Sequence, residues 1–288
     1  MLLDFFLLLK IKAYEDTTLM LYYKFDGNVN DYSGKNNYGT LIGGQYVDDR
    51  YRNDFSALYF NGTSDILVTT YRQINVSSMT YSFWLYIYNP SVSGTICQSR
   101  GDGNGFSITV AINSGKIQFL LNGPFKQCGV FSNVPLTPKT WNHIVCVWKG
   151  VAGIPTTNSN FKIYINGNMV STTDVNFNHP PPSATYSGDS TLFIGYHKAW
   201  NSYFKGIIDD FKVYERALSS NEIDSMYNVE KKYIHIISPN KGDVMLQGTS
   251  TTITWTKSPV IKGVDIKYTI DDITWKTVAE NITDTFYN

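Results

Sequence analysis

Short runs of apolar residues, separated by Gly, Asn, Asp and Ser, recur along most of the chain. Runs of four to eight residues rich in Val, Ile, Tyr, Phe and Trp are typical of β-strands. Segment 81–88 is apolar on both faces, which indicates a central strand. Asn61-Gly62 predicts a hairpin turn between two of the strands, and residues 26–44 read as a polar loop. The predicted strands lie at residues 19–25, 57–60, 65–69, 81–88, 105–112, 116–121, 141–148, 161–165, 191–196 and 206–214.

One short helix is predicted after Ser219, which can act as its N-cap while Glu222 completes a capping box. Near residue 231 the strand pattern restarts, with further strands predicted at 237–244, 251–255, 264–270 and 274–279. Many short strands separated by turns predict an all-β chain, with one large two-sheet β-sandwich at 19–230. Residues 231–288 predict a second, smaller β-sandwich, incomplete because about seven strands are usual for such a fold.

Residues 1–18 form an apolar N-terminal segment that is too short to span a bilayer. The segment lacks a basic start, and Asp4 interrupts its apolar run. Two interpretations stay open: a degenerate secretion signal or membrane anchor, and a strand or helix packed on a neighbour.

Charge and cysteine content narrow the function classes. Lys+Arg and Asp+Glu both number 24, so the net charge is zero and there is no basic stripe of the kind that binds nucleic acid. Three cysteines leave at least one unpaired thiol. Cys146 lies in an apolar strand and is expected to be a buried, inert thiol, whereas a Cys97–Cys128 bridge remains an alternative.

Two adjacent carboxylates, Asp209 and Asp210, lie near the start of the last strand of the large sandwich. Neighbouring side chains in a strand point to opposite faces, so one of the two is expected to point inward. Burying a carboxylate is costly unless it is paired, hydrogen-bonded or bound to a metal.

The chain from about residue 19 to 227 resembles the concanavalin A-like lectin/glucanase superfamily, and within it the laminin-G-like, pentraxin-related modules. Five segments carry the resemblance: 22–39 with its Asp-x-Ser-Gly loop, 57–62, 141–148, 161–167 and 206–224. The family implies a jelly-roll β-sandwich of two antiparallel sheets, with its first and last strands side by side. It also implies that a cysteine bridge to Cys146 is absent here, since the partner position holds Ser82.

The same resemblance implies a structural calcium ion, which would take oxygen ligands from carboxylates and carbonyls. By this resemblance Asp209 is the expected inward-facing ligand, joined by Asp26, Asp31 and Asn61, while Asp210 is the solvated neighbour. The alternative is that Asp209 accepts hydrogen bonds from backbone N–H groups and binds no metal. The tail from about residue 233 is similar to immunoglobulin-like (Ig-like) repeats of Ser/Thr-rich, cell-wall-associated surface proteins.

Catalysis is not expected from this sequence. Retaining glycosidases need two carboxylates about 5–5.5 Å apart, and no strand carries such a pair two or four residues apart. Four histidines without a zinc-binding spacing and the absence of a Gly-x-Ser-x-Gly motif point the same way. A glycoside hydrolase is therefore the remote alternative.

The leading hypothesis is a non-catalytic recognition module whose partner is a glycan or glycoprotein, on an extracellular, cell or virion surface. Trp200, Tyr196, His197 and Tyr203, in the loop before the last strand, are the predicted ligand-binding residues. A second aromatic stripe, Trp84, Tyr86 and Tyr88, is interpreted either as a binding face or as core packing. The competing hypothesis is a structural component that assembles with other surface or capsid proteins.

Overall fold

The computed structural model describes residues 16–73, 78–99, 107–123, 126–150, 157–177, 190–231, 234–239, 250–258, 261, 263–268 and 274–287. These residues divide into two compact units, one at 16–227 and one at 228–287. The apolar segment proposed as a signal or anchor lies mostly outside the described residues. In the part of the chain that is described, no helix has the length and apolar character needed to cross a membrane.

The first unit is built almost entirely from short strands, as predicted, with a 3-10 turn at Asn158–Asn160. Its strands are β1 (Leu19–Tyr23), β2 (Gly39–Ile42), β3 (Gln45–Val47), β4 (Ala57–Asn61), β5 (Ile66–Gln73), β6 (Ser78–Tyr86), β7 (Gly94–Ser99), β8 (Ser107–Asn113), β9 (Lys116–Gly123), β10 (Lys126–Ser132), β11 (Trp141–Lys149), β12 (Phe161–Ile165), β13 (Asn168–Met169), β14 (Thr172–Phe177), β15 (Ser190–Ile194), β16 (Tyr196–His197), β17 (Ser202–Tyr203) and β18 (Lys205–Tyr214).

Two large antiparallel sheets make up the sandwich, which confirms the jelly-roll class. Sheet A has the order β13-β12-β11-β6-β18-β4-β3, and sheet B has the order β14-β10-β9-β8-β7-β15-β5-β2. Strand β6 lies between β11 and β18, so the segment predicted to be central is central. Strand β1 pairs with β18, as the family resemblance implied.

The core lies between the two sheets. Phe83 and Leu85 of β6 point into it, as does Ile87 just after the strand, together with Ile208 and Phe211 of β18. The other face of sheet A therefore carries the intervening residues, which include the aromatic stripe at positions 84 and 86 of β6 and at position 88 just beyond it. This face is called the outer face of sheet A below.

Helix α1 (Ser220–Glu230) covers part of that outer face. Its N-terminus has the predicted capping box: the Ser219 backbone N–H donates to Glu222 Oε2 at 2.8 Å, and the Glu222 N–H donates to Ser219 Oγ at 3.3 Å. Ile223 packs into a small apolar cluster with Val145 and Tyr214 on the outer face. The helix thus closes one half of the face and leaves the other half open.

Two local predictions were wrong. The predicted hairpin at Asn61-Gly62 is a crossing between sheets, because β4 belongs to sheet A and β5 to sheet B. The turn is held by side chains: the Asn61 N–H donates to Asp65 Oδ2, and the N–H groups of residues 63 and 64 donate to Asn61 Oδ1. The predicted loop at 26–44 includes β2, and strands β3, β7, β10 and β14 were not predicted.

All three cysteines are buried free thiols, so the alternative Cys97–Cys128 bridge is not formed. Burial raises the pKa of Cys128 to about 12 and the pKa of Cys146 well above its ordinary value. The expected inert state of Cys146 agrees with this environment.

The second unit contains a three-stranded sheet and a two-stranded sheet among its described residues. Part of the predicted strand at 237–244 lies outside the described residues, and the Ig-like assignment stays a prediction. The strands are β19 (Ile234–Ser238), β20 (Ile253–Lys257), β21 (Val264–Tyr268), β22 (Lys276–Ile282) and β23 (Phe286–Tyr287).

Candidate functional site

A β-bulge places both carboxylates of the last strand on the outer face of sheet A. In the pairing of β18 with β6, Asp209 lies opposite Trp84 and Lys212 lies opposite Ser82, so one extra residue is accommodated between them. Asp210 takes up that residue with a left-handed φ of 48°. Asp209 is buried, as expected, but on the outer face and not between the sheets. The expectation that Asp210 is solvated was wrong, because strand alternation is broken at this point and Asp210 is largely buried as well.

Arg50 binds both carboxylates at once. It comes from the loop between β3 and β4, and its two terminal nitrogens contact Asp209 Oδ2 and, at 2.6 Å, Asp210 Oδ2. The three side chains are almost fully buried, and the guanidinium also lies over the Trp84 ring, 4.6 Å from its centroid. The arrangement is a buried ion-pair triad that fixes a loop to the junction where β18 changes its partner from β4 to β1.

The two carboxylates differ in their proton affinity. Burial and the adjacent charge of Asp210 raise the pKa of Asp209 well above its ordinary value, although Arg50 opposes this. Burial acts in the same sense on Asp210, but Lys212, Arg50 and the Tyr22 hydroxyl, which donates to Asp210 at 2.5 Å, outweigh it and hold its pKa below the ordinary value. Of the two carboxyls, Asp209 is therefore the one whose surroundings favour the protonated form more.

The four predicted calcium ligands do not converge on one ion. Asp209 Oδ2 accepts from Arg50 and its Oδ1 accepts from the Asp210 N–H, so a fixed cation already neutralises the group. Asp31 accepts four hydrogen bonds, two on each oxygen, from the loop it organises and from the Tyr22 N–H. These donor sets do not fit a calcium ion at Asp209, since the ion would need the same oxygens.

Of the remaining two predicted ligands, Asn61 lies away from Asp209, whereas Asp26 lies close enough to Asp210 for their charges to interact. Asn61 pairs with Lys205 at the far end of β18, and its amide is used in the turn described above. Asp26 is exposed in the loop that follows β1. In the described part of the chain, no group of three or more His, Cys, Asp or Glu side chains could hold a metal ion. The calcium ion stays an untested prediction.

The four predicted ligand-binding residues form one small hairpin, β16–β17, called the aromatic hairpin below. Tyr196 lies opposite Tyr203, with ring centroids 4.6 Å apart, and His197 lies opposite Ser202. Cross-strand partners project to the same face, so the tyrosine pair and His197 occupy opposite faces of the hairpin. A single ligand cannot contact all four side chains.

Trp200, in the turn of this hairpin, is held flat against His197. The two ring centroids are 3.9 Å apart and the ring planes meet at 3°. The backbone N–H of Trp200 donates to His197 Nδ1 at 3.2 Å. His197 is buried, whereas 53% of the Trp200 side chain is exposed. One face of the indole is therefore covered by the imidazole, and its exposed area is available to a ligand.

Sequence reasoning missed a second aromatic surface, at the open half of the outer face of sheet A. A cleft of about 310 Å³ is lined by Tyr59, Tyr88, Asn89, Val92 and Lys205. These residues come from three separate segments, at 59, 88–92 and 205, so no local sequence motif indicates the cleft. The only feature of the sequence that pointed to this surface was the aromatic stripe at positions 84–88. In the structure one end of that stripe is buried and the other end is exposed.

The stripe is neither wholly core nor wholly binding face. Trp84 is 4% exposed, because Tyr227 of α1 stacks on it with ring centroids 5.9 Å apart and Arg50 covers it as well. Tyr86 is half-buried and Tyr88 is exposed, and their rings meet edge to face at 5.3 Å. Only the end of the stripe that α1 does not cover therefore reaches the surface.

One further pair has the chemical types of a nucleophile and a base. Ser82 Oγ lies 3.0 Å from His143 Nε2, but neither residue has more than 1% of its surface exposed. Tyr227 stacks on the His143 ring at 5.8 Å between centroids. With the helix packed over it, this pair has no access to a substrate.

Comparison with solved structures identifies the same architecture in binding domains. Domain 4 of AbnA, a GH43 extracellular arabinanase from Geobacillus stearothermophilus solved with arabinotriose, is 18% identical over 73% of this chain and 98% of that domain, with a TM-score of 0.53. The binding domain of Paraclostridial Mosquitocidal Protein 1 is 18% identical over 76% of this chain, with a TM-score of 0.54. This chain spans 53% of that domain's length.

A structure of botulinum neurotoxin type C, described as depending on two ganglioside molecules for cell entry, is 14% identical over 93% of this chain and 74% of that chain, with a TM-score of 0.54. A search of curated proteins gave no match. The model of a family described as the concanavalin A-like lectin/glucanases superfamily matches residues 60–224, which is more than half of the sequence. The sandwich, its strand order and this match together place the chain in the concanavalin A-like lectin/glucanases superfamily.

Proposed function

We propose that this protein is a non-catalytic module that recognises a glycan or glycoprotein on an extracellular, cell or virion surface. The observation that carries the proposal is the half-exposed Trp200 ring, held in place by the buried His197 beneath it. Aromatic rings offer a rigid apolar face for the C–H face of a sugar ring, and a ring that is already ordered loses little entropy on binding.

Proteins with similar structures support a carbohydrate as the class of partner. An arabinanase domain solved with arabinotriose and a neurotoxin dependent on gangliosides have this fold and carbohydrate partners in common. A shared fold hosts many different sites, so the ligand of this chain is argued from its own aromatic residues.

A non-catalytic role agrees with the state of the carboxylates. Asp209 and Asp210 are buried and bound by Arg50, so they are not free to act as acid and nucleophile on a sugar. Ser82 and His143 are equally inaccessible beneath α1.

A glycan array tests the proposal, with wild type, Trp200→Ala and Tyr38→Ala compared at equal concentration. Tyr38 is 48% exposed in a different segment, so its variant controls for loss of an exposed aromatic ring. We expect wild type and Tyr38→Ala to bind the same glycans, and Trp200→Ala to lose about tenfold or more in affinity, as for a binding hot spot.

If wild type binds no glycan on the array, the proposal is contradicted. Light scattering of the same sample then tests the competing function: defined oligomers would favour a structural component that assembles with surface or capsid proteins. Equal binding by wild type and Trp200→Ala would leave glycan recognition in place and reject the aromatic hairpin as its site.

A further inference from the structure

The cleft on the outer face of sheet A has the size and the walls of a small-molecule site. Its volume of about 310 Å³ lies at the lower end of the range of about 300–1,000 Å³ found for ligand pockets. Tyr59 and Tyr88 form its aromatic part, with ring centroids 6.2 Å apart and planes at 79°. The cleft therefore suits one or two small rings rather than an extended chain.

The aromatic wall is held in place by neighbouring rings. Tyr88 contacts Tyr86 edge to face at 5.3 Å between centroids, and Tyr86 contacts Trp141 in the same way at 5.7 Å. The rings thus form a continuous row across strands β4, β6 and β11. Each ring limits the motion of the next, so the cleft is largely formed before a ligand arrives.

The polar groups of the cleft are mostly donors. Lys205 is exposed at the start of β18 and contributes an ammonium group. The oxygen of the Asn89 amide accepts from the Ser91 N–H, which leaves its NH₂ group available to donate. The tyrosine hydroxyls can donate as well, since burial and the neighbouring tyrosines raise the pKa of Tyr88.

No carboxylate is among the residues that line the cleft, and no ion pair of Lys205 occurs within the described part of the chain. A cleft with one cation, several donors and no anion has a positive potential, which favours a ligand group with negatively charged oxygens. A neutral sugar would leave the ammonium group without a charged partner.

The cleft adjoins the aromatic hairpin. Lys205 follows Tyr203 by two residues, and Val92 precedes Gly94 by two residues. Gly94 packs against the hairpin so closely that a Cβ there would lie 2.2 Å from the Tyr203 carbonyl oxygen. Segments flanking the hairpin thus also line the cleft.

We propose that this cleft binds an anionic sugar unit, carrying a carboxylate or a sulfate, of the glycan that the module recognises. The proposal rests on the proposed glycan-binding function and specifies its ligand class. Lys205 and Asn89 would hold the anionic group, and Tyr88 would contact the ring.

The test is an array that carries neutral, uronate-containing, sialylated and sulfated oligosaccharides of matched length. We expect the acidic glycans to bind wild type about tenfold more tightly than neutral ones, as for a charge-assisted hydrogen bond. The carboxylated and the sulfated members of the array identify which anionic group the cleft prefers. Equal affinity for acidic and neutral glycans would overturn the proposal.

Single substitutions test whether the preference for acidic glycans arises at the cleft. Lys205→Gln should reduce affinity for the acidic glycans to the level of the neutral ones, whereas Lys205→Arg should retain the preference for acidic glycans. Tyr88→Ala should lower the affinity for acidic glycans below that of Lys205→Gln. Lys162→Gln is the matched control, because Lys162 is an exposed lysine on β12 of the same sheet. Unchanged acid preference in Lys205→Gln would overturn the proposal even if the array is otherwise positive.

The outcomes separate the two proposals. If Trp200→Ala lowers glycan affinity, but ligand charge and Lys205→Gln have no effect on it, the proposed function stands and the cleft is rejected as a site. Silence of wild type towards every member of the array rejects both.

Discussion

The indole of Trp200 lies parallel to the imidazole of His197, with 3.9 Å between the ring centroids and 3° between the planes. Only one of the two residues is at the surface, since His197 is 3% exposed. Its role is therefore to position the tryptophan, through the stacked rings and the hydrogen bond from the Trp200 N–H to Nδ1. The proposed binding surface is thus an exposed ring that packs on a buried one.

Removing the support should weaken glycan binding although His197 itself is inaccessible to a ligand. We expect His197→Ala to lower affinity several-fold, because the indole then loses its fixed orientation and must be ordered on binding. His197→Phe, which keeps a flat ring beneath Trp200, should retain more affinity than His197→Ala. Titration calorimetry with the strongest glycan from the array measures both, and wild-type affinity in His197→Ala would contradict the positioning role.

Removing Arg50 should destabilise the large sandwich. Arg50→Met leaves two adjacent buried carboxylates without their cation, a change that typically costs about 3–5 kcal/mol. Urea unfolding measures the loss. Replacing Asp209 and Asp210 by Asn in the same variant should recover part of it, because neither buried carboxylate is then left without the Arg50 cation. A loss below about 1 kcal/mol for Arg50→Met would show that the triad contributes little to stability.

Asp209 should have no influence on calcium binding. Its oxygens are taken by Arg50 and by the Asp210 N–H, so any calcium ion that the protein binds is expected at another position. Calorimetric titration with calcium should therefore give the same result for wild type and Asp209→Asn. A calcium affinity that disappears in Asp209→Asn alone would restore the family's calcium site and contradict the arrangement described here.

The capping box should contribute stability that depends on pH. Hydrogen bonds from Arg216 and from the backbone and side chain of Ser219 lower the pKa of Glu222 to about 2, against 4.5 when free. The folded state therefore binds fewer protons than the unfolded state, so this stability is present above about pH 4.5 and is lost as the pH falls towards about 2.

Glu222→Gln should lower the free energy of unfolding by about 1 kcal/mol near pH 7, a magnitude typical of helix caps rather than of buried ion pairs. The difference from wild type should shrink as the pH falls below 4.5, which urea unfolding at several pH values measures. A difference that stays constant down to pH 3 would mean that the glutamate charge is not involved.

Features encoded by local pattern could be predicted, and those that depend on distant partners could not. The central strand β6 and the cap of α1 follow from apolar runs and from the Ser219–Glu222 spacing. The bulge at Asp210 could not be foreseen, because strand alternation predicts opposite faces for adjacent residues. Arg50 lies 159 residues from Asp209, and the residues of the cleft come from three segments, so only the folded chain brings them together.

The turn at Asn61 also depends on distant parts of the chain that local sequence does not reveal. An Asn-Gly pair signals that the chain reverses, but it does not say whether the next strand joins the same sheet. Here the chain continues into the opposite sheet, and Asp65 accepts the Asn61 N–H at the crossing. The aromatic hairpin was predicted as a site because its four residues are close in sequence, yet their division between two faces depends on strand pairing.

Gly94 should be essential for the position of the aromatic hairpin. A Cβ at Gly94 would meet backbone atoms, 2.2 Å from the Tyr203 carbonyl oxygen and 2.9 Å from the Phe204 Cα, so the chain between hairpin and β18 would have to move. We expect Gly94→Ala to cost about 1–3 kcal/mol of stability through overpacking and to weaken binding of both neutral and acidic glycans.

Gly27 provides the matched control for that variant. It has a φ of +65°, but a Cβ there would meet nothing within 4 Å, so Gly27→Ala introduces backbone strain without a collision. Strain of this kind costs about 1–2 kcal/mol, and glycan binding should stay at the wild-type level because the hairpin does not move. If Gly94→Ala also left glycan binding unchanged, the contact between Gly94 and Tyr203 would not determine the geometry of the site.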